Sequence, residues 1–304
     1  MKTTGLIETK SHVMHETLRH VLLLGAAAVT AASAADHYDE TAAQRDIWVN
    51  QAVGCPNVAS WTCGRACDEV PTVARVVAQN RSKDTLALVA RPSPTECLVV
   101  LRGSKTFLNT LQDVDFIPTD LEGCAVPCKV HEGFLHDWRS LAPQTLDALS
   151  TLGCYNSSIA ITGHSLGAAM AALAAFELLG AQWPVRRVYT YGQPRTGNAA
   201  FAASFHARMA ALGVPYFRSV EYRDAVPHLP VLDMFGEGWA HTFPEVYYGA
   251  TERGHYVICA EPGDKRCSAR WNLLQTLTHT CDHCSYLGMN PCDCGEAGPR
   301  CSEP

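Results

Sequence analysis

The chain has 304 residues, of which 47% are hydrophobic and 18% charged, the profile of a globular protein. Its formal net charge is −6 and no basic block or basic amphipathic helix appears, which argues against nucleic acid and strongly anionic membranes as partners.

The first predicted element is an apolar run over residues 21–29, followed by Ala32-Ser33-Ala34, small residues where a signal peptidase reads. Together they predict a secretory signal over residues 1–34 and a mature domain over 35–304. The run is shorter than the ~20 residues a membrane span needs, so no span is expected in the mature chain. Cleavage after Ala34 removes three basic and two acidic residues and leaves a formal charge of −7. All fourteen cysteines, at 55, 63, 67, 97, 124, 128, 154, 259, 267, 281, 284, 292, 294 and 301, lie beyond that point. An even count behind a secretory signal predicts disulfides formed in an oxidising compartment. A rival reading is zinc: Cys281-x-x-Cys284 with His279, His283, Cys292 and Cys294 has ligand types at ligand spacings. Secretion weighs against it, and no metal or cofactor is expected.

Residues 97–101 read as a buried strand ended by Arg102-Gly103-Ser104. Between Lys105 and Asp113, Phe107, Leu108 and Leu111 fall at helical spacing and predict a short amphipathic helix. Residues 132–152 predict a helix with Phe134, Trp138, Leu141, Leu146 and Leu149 on apolar positions and a kink at Pro143. A strand over 158–162, an alanine-rich helix over 168–179 and strands over 187–191 and 216–220 follow. Strands alternating with helices imply a mostly parallel sheet covered on both faces, an α/β fold. Residues 292–304 read as a polar tail stapled by cysteines.

Between the strand at 158–162 and the helix at 168–179 stands Gly163-His164-Ser165-Leu166-Gly167. A glycine-flanked serine at a strand-to-helix turn is the nucleophile-elbow context, so Ser165 is the candidate nucleophile. A serine hydroxyl needs a base to take its proton, and in this arrangement the acid and then the histidine follow the serine along the chain. Asp224, just past the strand at 216–220, is the best acid, because catalytic groups of open α/β sheets sit beyond strand carboxyl ends. Of the downstream histidines, His228 is too near Asp224 in sequence, and His241, His255, His279 and His283 stay open on chemistry alone. The Leu166 N–H, directly after the nucleophile, is a candidate oxyanion donor; such donors contribute ~3–4 kcal/mol each.

Six blocks in order sharpen the reading. They are Val100-Leu101-Arg102-Gly103-Ser104, Val130-His131-Glu132-Gly133-Phe134, Gly163 to Gly167, and Tyr191-Gly192-Gln193-Pro194-Arg195-Thr196-Gly197-Asn198. After them come Arg223-Asp224-Ala225-Val226-Pro227-His228-Leu229-Pro230 and Asp282-His283-Cys284-Ser285-Tyr286-Leu287-Gly288. From about Cys55 to Cys294 the chain resembles the class 3, filamentous-fungal type, triacylglycerol lipases. The resemblance implies a single α/β-hydrolase domain that opens acyl esters at a lipid surface through an acyl-enzyme. It implies Asp224 as catalytic acid and His283 as catalytic histidine. It implies Ser104 as second oxyanion donor, the segment of Phe107, Leu108 and Leu111 as a lid, and a structural role for His241. It also implies disulfides Cys55–Cys294, Cys63–Cys67 and Cys259–Cys267.

Cys124 and Cys128 pair by proximity, and Cys97 with Cys154 would bridge the starts of two strands; Cys281, Cys284, Cys292 and Cys301 stay unassigned. The Cys124-Ala125-Val126-Pro127-Cys128 segment resembles the feruloyl esterase branch of the family. Feruloyl esterase and phospholipase A1 are therefore alternatives on the same scaffold, and a secreted binding module with a dead site is the alternative from another class.

Overall fold

The structure is a computed structural model that describes residues 38–72, 74–80, 84–103, 116–249, 254–292 and 294. The expected signal, the polar tail past Cys294, and Ser104, Phe107, Leu108 and Leu111 lie outside the described residues.

In chain order the first elements are α1 (Glu40–Ala52), α2 (Arg65–Asp68), β1 (Ala74–Asn80), β2 (Thr85–Ser93), β3 (Glu96–Arg102), β4 (Pro118–Leu121) and β5 (Cys128–His131). Then come α3 (Glu132–Thr151), β6 (Ser158–His164), α4 (Leu166–Gly180), β7 (Val185–Tyr191), β8 (Gly197–Asn198), α5 (Ala199–Leu212) and β9 (Tyr216–Glu221). The last are β10 (Trp239–Ala240), β11 (Glu245–Tyr248), β12 (Tyr256–Cys259) and α6 (Leu273–Thr276).

Eight strands form one sheet in the order β1-β2-β3-β6-β7-β9-β11-β12. From β3 to β11 neighbours run parallel, while β1, β2 and β12 add antiparallel edges. Strands β10, β8, β5 and β4 make a separate small antiparallel sheet. This is the α/β-hydrolase architecture expected above; the antiparallel edges and the small sheet were not.

Strands β3 and β6 read as largely apolar runs because both faces are covered, while β7 and β9 carry Arg187 and Arg218, whose charges are paired with Asp46 and Glu245. On one face α1 packs Val49, with Val53 just past its end, against Leu88, Leu98, Val100 and Ala160. Its polar residues are paired: Asn50 Nδ2 donates to Thr162 Oγ1 at 2.9 Å, and Asp46 takes a fork of bonds from Arg187 at 2.6 and 3.1 Å. On the other face α4 lies on β3, β6 and β7 and against α3. Ala168 through Ala175 are all buried, so α4 is apolar all round, as a helix enclosed on every side must be. Helix α3 runs unbroken through Pro143 and buries Phe134, Leu135, Trp138, Leu141, Thr145, Ala148 and Leu149. Leu146, expected on that face, is exposed instead, because it stands five residues past Leu141 and falls off the stripe.

Among the described residues six disulfides join Cys55–Cys294, Cys63–Cys67, Cys97–Cys154, Cys124–Cys128, Cys259–Cys267 and Cys284–Cys292. Cys281 is also disulfide-bonded, with its partner outside the described residues. The thiolates that the zinc reading needs at 281, 284, 292 and 294 are thereby consumed, and that reading falls.

Candidate active site

Four loops meet at the carboxyl edge of the sheet, where β3, β6, β7 and β9 lie side by side. They carry Gly103, Ser165, Gly192 and Asp224, each one to three residues past its strand. That edge is where open α/β sheets build their sites.

Ser165 occupies the turn between β6 and α4 with φ 58° and ψ −129°, a backbone state costly for any residue with a Cβ. Its N–H donates to Tyr191 O at 2.9 Å, which ties the turn to the end of β7. Gly167 lets the helix approach: a Cβ there would stand 2.0 Å from Leu101 O of β3. Gly103 is equally close, since a Cβ on it would meet Leu166 Cβ at 2.5 Å. The chain therefore leaves β3 at Gly103 right beside the elbow. At the first turn of α4 the Leu166 N–H has no carbonyl within the helix to bond, so it is free for an incoming acceptor.

The acid and histidine arrive from distant segments. His283 Nδ1 stands 2.9 and 2.8 Å from the two carboxylate oxygens of Asp224, and both side chains are almost wholly buried. A carboxylate only accepts, so His283 Nδ1 carries the proton of this bond, and Nε2 is the ring nitrogen left to act as a base. Neither His283 Nε2 nor Ser165 Oγ has a hydrogen-bond partner among the described residues, although both are buried. One base and one hydroxyl, both unspent, thus lie beside each other's segments: His164, next to Ser165, packs its ring on His283 at 4.4 Å.

Asp224 is held as an anion. Burial pushes its carboxyl up, but His283, the Tyr286 hydroxyl and the Val226 N–H together bring it below its ordinary value. The Tyr286 hydroxyl donates to Oδ2 at 2.5 Å and the Val226 N–H to Oδ1 at 2.9 Å. His164 fixes the other side of the histidine: its Nε2 bonds the His283 carbonyl at 2.7 Å. Burial and the neighbouring His283 push the His164 ring down to about 3, so it stays neutral near neutral pH and donates that bond. Tyr286, His164 and Gly192 were not singled out from the sequence. Each stood inside a quoted block, but contacts spanning 62 and 119 residues leave no local signal.

Gly192 has φ +56°, and a Cβ on it would stand 2.8 Å from both Asp224 Oδ2 and His283 Cε1. Gly192→Ala is expected to cut kcat at least roughly a hundredfold, because displacements of ~1 Å at a catalytic group carry that cost. Gly213→Ala, at a similar φ with open space around it, controls for backbone strain alone and should leave kcat unchanged. Equal losses in the two variants would dismiss the crowding argument.

The remaining histidines are placed elsewhere. His279 Nε2 lies 3.2 Å from Arg223 Nη1, and His255 is exposed. His241 Nε2 bonds Pro227 O at 2.6 Å. Among the described residues no cluster of His, Cys, Asp or Glu is arranged to hold a metal ion.

The family described as lipase (class 3) matches residues 98–234. The chain is similar to a Rhizomucor miehei lipase, 34% identical over 216 residues, covering 68% of this chain and 56% of that protein. It therefore spans little more than half the length of that relative. It is also similar to the secreted mono- and diacylglycerol lipase A of Penicillium cyclopium, 31% identical over 220 residues, covering 67% of this chain and 69% of the other. Among solved structures, a Rhizomucor miehei lipase–propeptide complex superposes with a TM-score of 0.70 at 30% identity, over 83% of this chain and 81% of that one. A triacylglycerol lipase described as having a serine protease triad as its catalytic centre superposes with a TM-score of 0.69 at 29% identity, over 85% and 98%.

Proposed function

The chain belongs to the class 3 lipase family, and from that footing we propose that it is a secreted serine ester hydrolase acting on acylglycerols at a lipid surface. The observation that carries the reading is the buried His283, bonded through Nδ1 to Asp224, together with a strained Ser165, the Nε2 of the one and the hydroxyl of the other having no hydrogen-bond partner among the described residues. In this reading Ser165 Oγ attacks the ester carbonyl while His283 Nε2 takes its proton. The His283 imidazolium so formed is balanced by Asp224 and then protonates the departing alcohol. The tetrahedral oxyanion is met by the N–H groups of Leu166 and Ser104. Water, activated by the same histidine, releases the fatty acid from the acyl-enzyme.

Secretion has three supports: the signal-like residues 1–34, the disulfides, and a relative that is itself named as secreted. The mature protein should begin at Ala35, which N-terminal sequencing of the secreted chain checks.

The substrate class rests on residues 105–113. As a lid, Phe107, Leu108 and Leu111 cover the site in water, and opening exposes apolar area at ~25 cal/mol per Å², a cost that a lipid surface removes. Rates on emulsified triglyceride should therefore rise once the substrate passes its solubility limit. Phe107→Ser with Leu111→Ser should flatten that rise while leaving a soluble short-chain ester cleaved as fast or faster. The Cys124–Cys128 bridge favours a second reading, the feruloyl esterase branch. A panel of triglyceride, phospholipid and methyl ferulate separates them: preference for ferulate with no response to emulsion would replace the lipase reading.

A further inference from the structure

A cavity of about 750 Å³ lies between residues 227–245 and residues 259–273, and Ser165, Asp224 and His283 do not line it. Its size is that of small-molecule sites, which span ~300–1,000 Å³. Pro227, Val231, Leu232, Phe243, Trp271 and Leu273 give it apolar walls. Val231 and Leu232 are 40% and 57% exposed, so the cavity opens to solvent past apolar side chains.

The rim carries Lys265 with Asp233, Glu261 and Asp264, but the buried charges of the lining are unbalanced. Arg195 and Arg218 both face the cavity, with Glu245 as the one buried carboxylate between them. Glu245 is already engaged by Arg218 Nη2 and by the N–H and hydroxyl of Ser268 at 2.8 and 2.9 Å. Arg195 Nη1 is held only by the carbonyls of His228 and Pro230, at 2.6 and 2.7 Å. Burial and the nearby Arg218 pull the Arg195 guanidinium down to about 10, with Glu245 only partly opposing them. Arg218 Nη1 and His228 Nε2 are buried with no hydrogen-bond partner among the described residues. Unsatisfied buried polar atoms are rare in native structures and point to a missing partner. His241, kept neutral by burial and the two arginines, donates from Nε2 to Pro227 O and leaves Nδ1 as a bare acceptor. The acidic residues of the lining, Asp233, Glu261 and Asp264, are on the hydrated rim, where water and salt screen them, and Asp264 is paired with Arg266.

We propose that this cavity binds a fatty-acid carboxylate, with the head group on Arg218 and Arg195 and the alkyl chain along Val231, Leu232, Trp271 and Leu273. One negative charge balances two guanidinium ions against one carboxylate, and its oxygens supply the acceptors that Arg218 Nη1 lacks. The apolar walls ask for a long hydrocarbon body, which a small inorganic anion does not have. The site stands apart from the hydrolase reading, because binding is measured without turnover.

The test titrates the full secreted chain carrying Ser165→Ala with decanoate, using decanol and decyltrimethylammonium as comparators, by calorimetry. Decanoate should bind one to one, about tenfold or more tighter than decanol, and the cation should not bind. Leu232→Asp, at an exposed wall position that folding tolerates, should weaken decanoate about tenfold without moving the melting temperature. Substitution of Arg218 is avoided because it would strand Glu245. No saturable decanoate binding, equal binding of decanol, or an affinity unchanged by Leu232→Asp each overturns the proposal.

Discussion

Replacing Ser165 with alanine is expected to lower kcat by roughly 10⁴- to 10⁶-fold on every ester the protein cleaves, the range lost when a hydrolytic triad loses its nucleophile. His283→Ala should cost about as much, and the double variant little more, because the two groups act as one unit. The reason is visible in the geometry: the imidazole is oriented by Asp224, and its Nε2 has nothing else to do. His279→Ala is the informative neighbour. It stands four residues away, faces Arg223 rather than Asp224, and should leave most of kcat intact. Steady-state kinetics of the three purified variants decide the matter. A Ser165→Ala protein that keeps more than a tenth of wild-type kcat would show that another residue attacks the ester.

The second large effect is on stability. Cys55–Cys294 closes a loop of 239 residues, and chain entropy alone assigns ~5 kcal/mol to closing loops longer than ~100 residues. Cys55→Ser with Cys294→Ser should therefore lower the melting temperature by about 10 °C or more, at ~2–4 °C per kcal/mol for a domain of this size. A chelator such as EDTA should move it by less than about a degree, since the cysteines once open to a zinc reading are spent in disulfides. Scanning calorimetry of the two samples tests both statements. A double variant as stable as wild type would mean that packing alone holds the segment around Cys55 and Cys294.

The long parallel strands and the helices between them were legible because their signals are local. Residues 97–101, 158–162, 187–191 and 216–220 are short, mostly buried runs rich in apolar, aromatic and β-branched residues, and the observed strands contain all four. Strands β1, β2 and β12 were not read. β1 and β12 are outer strands with largely half-exposed side chains, and their pairing depends on partners the local pattern does not name, whereas β2 is buried over Thr85–Ala90 and its apolar run was a local signal passed over. Leu146 shows the same limit for helices, since counting apolar residues missed which of them share a stripe. At the site, the serine turn carried its own signature in five consecutive residues. Choosing among the histidines took the family resemblance, and the structure then places one of them on Asp224. The supports around that pair, Tyr286, His164 and Gly192, are a matter of three-dimensional neighbourhood, and spacing along the chain is silent on them.

The φ of 58° at Ser165 has an evolutionary side. Glycine would sit there at ease, so the position that the proposed chemistry cannot exchange is also one where exchange would relax the backbone. Improvement in heat resistance at this turn is thus closed off by activity, and a lineage adapting to warmer surroundings has to find its gains elsewhere. A descendant relieved of the need to cleave esters would be expected to drift towards glycine at 165 early, trading a dormant hydroxyl for a calmer turn.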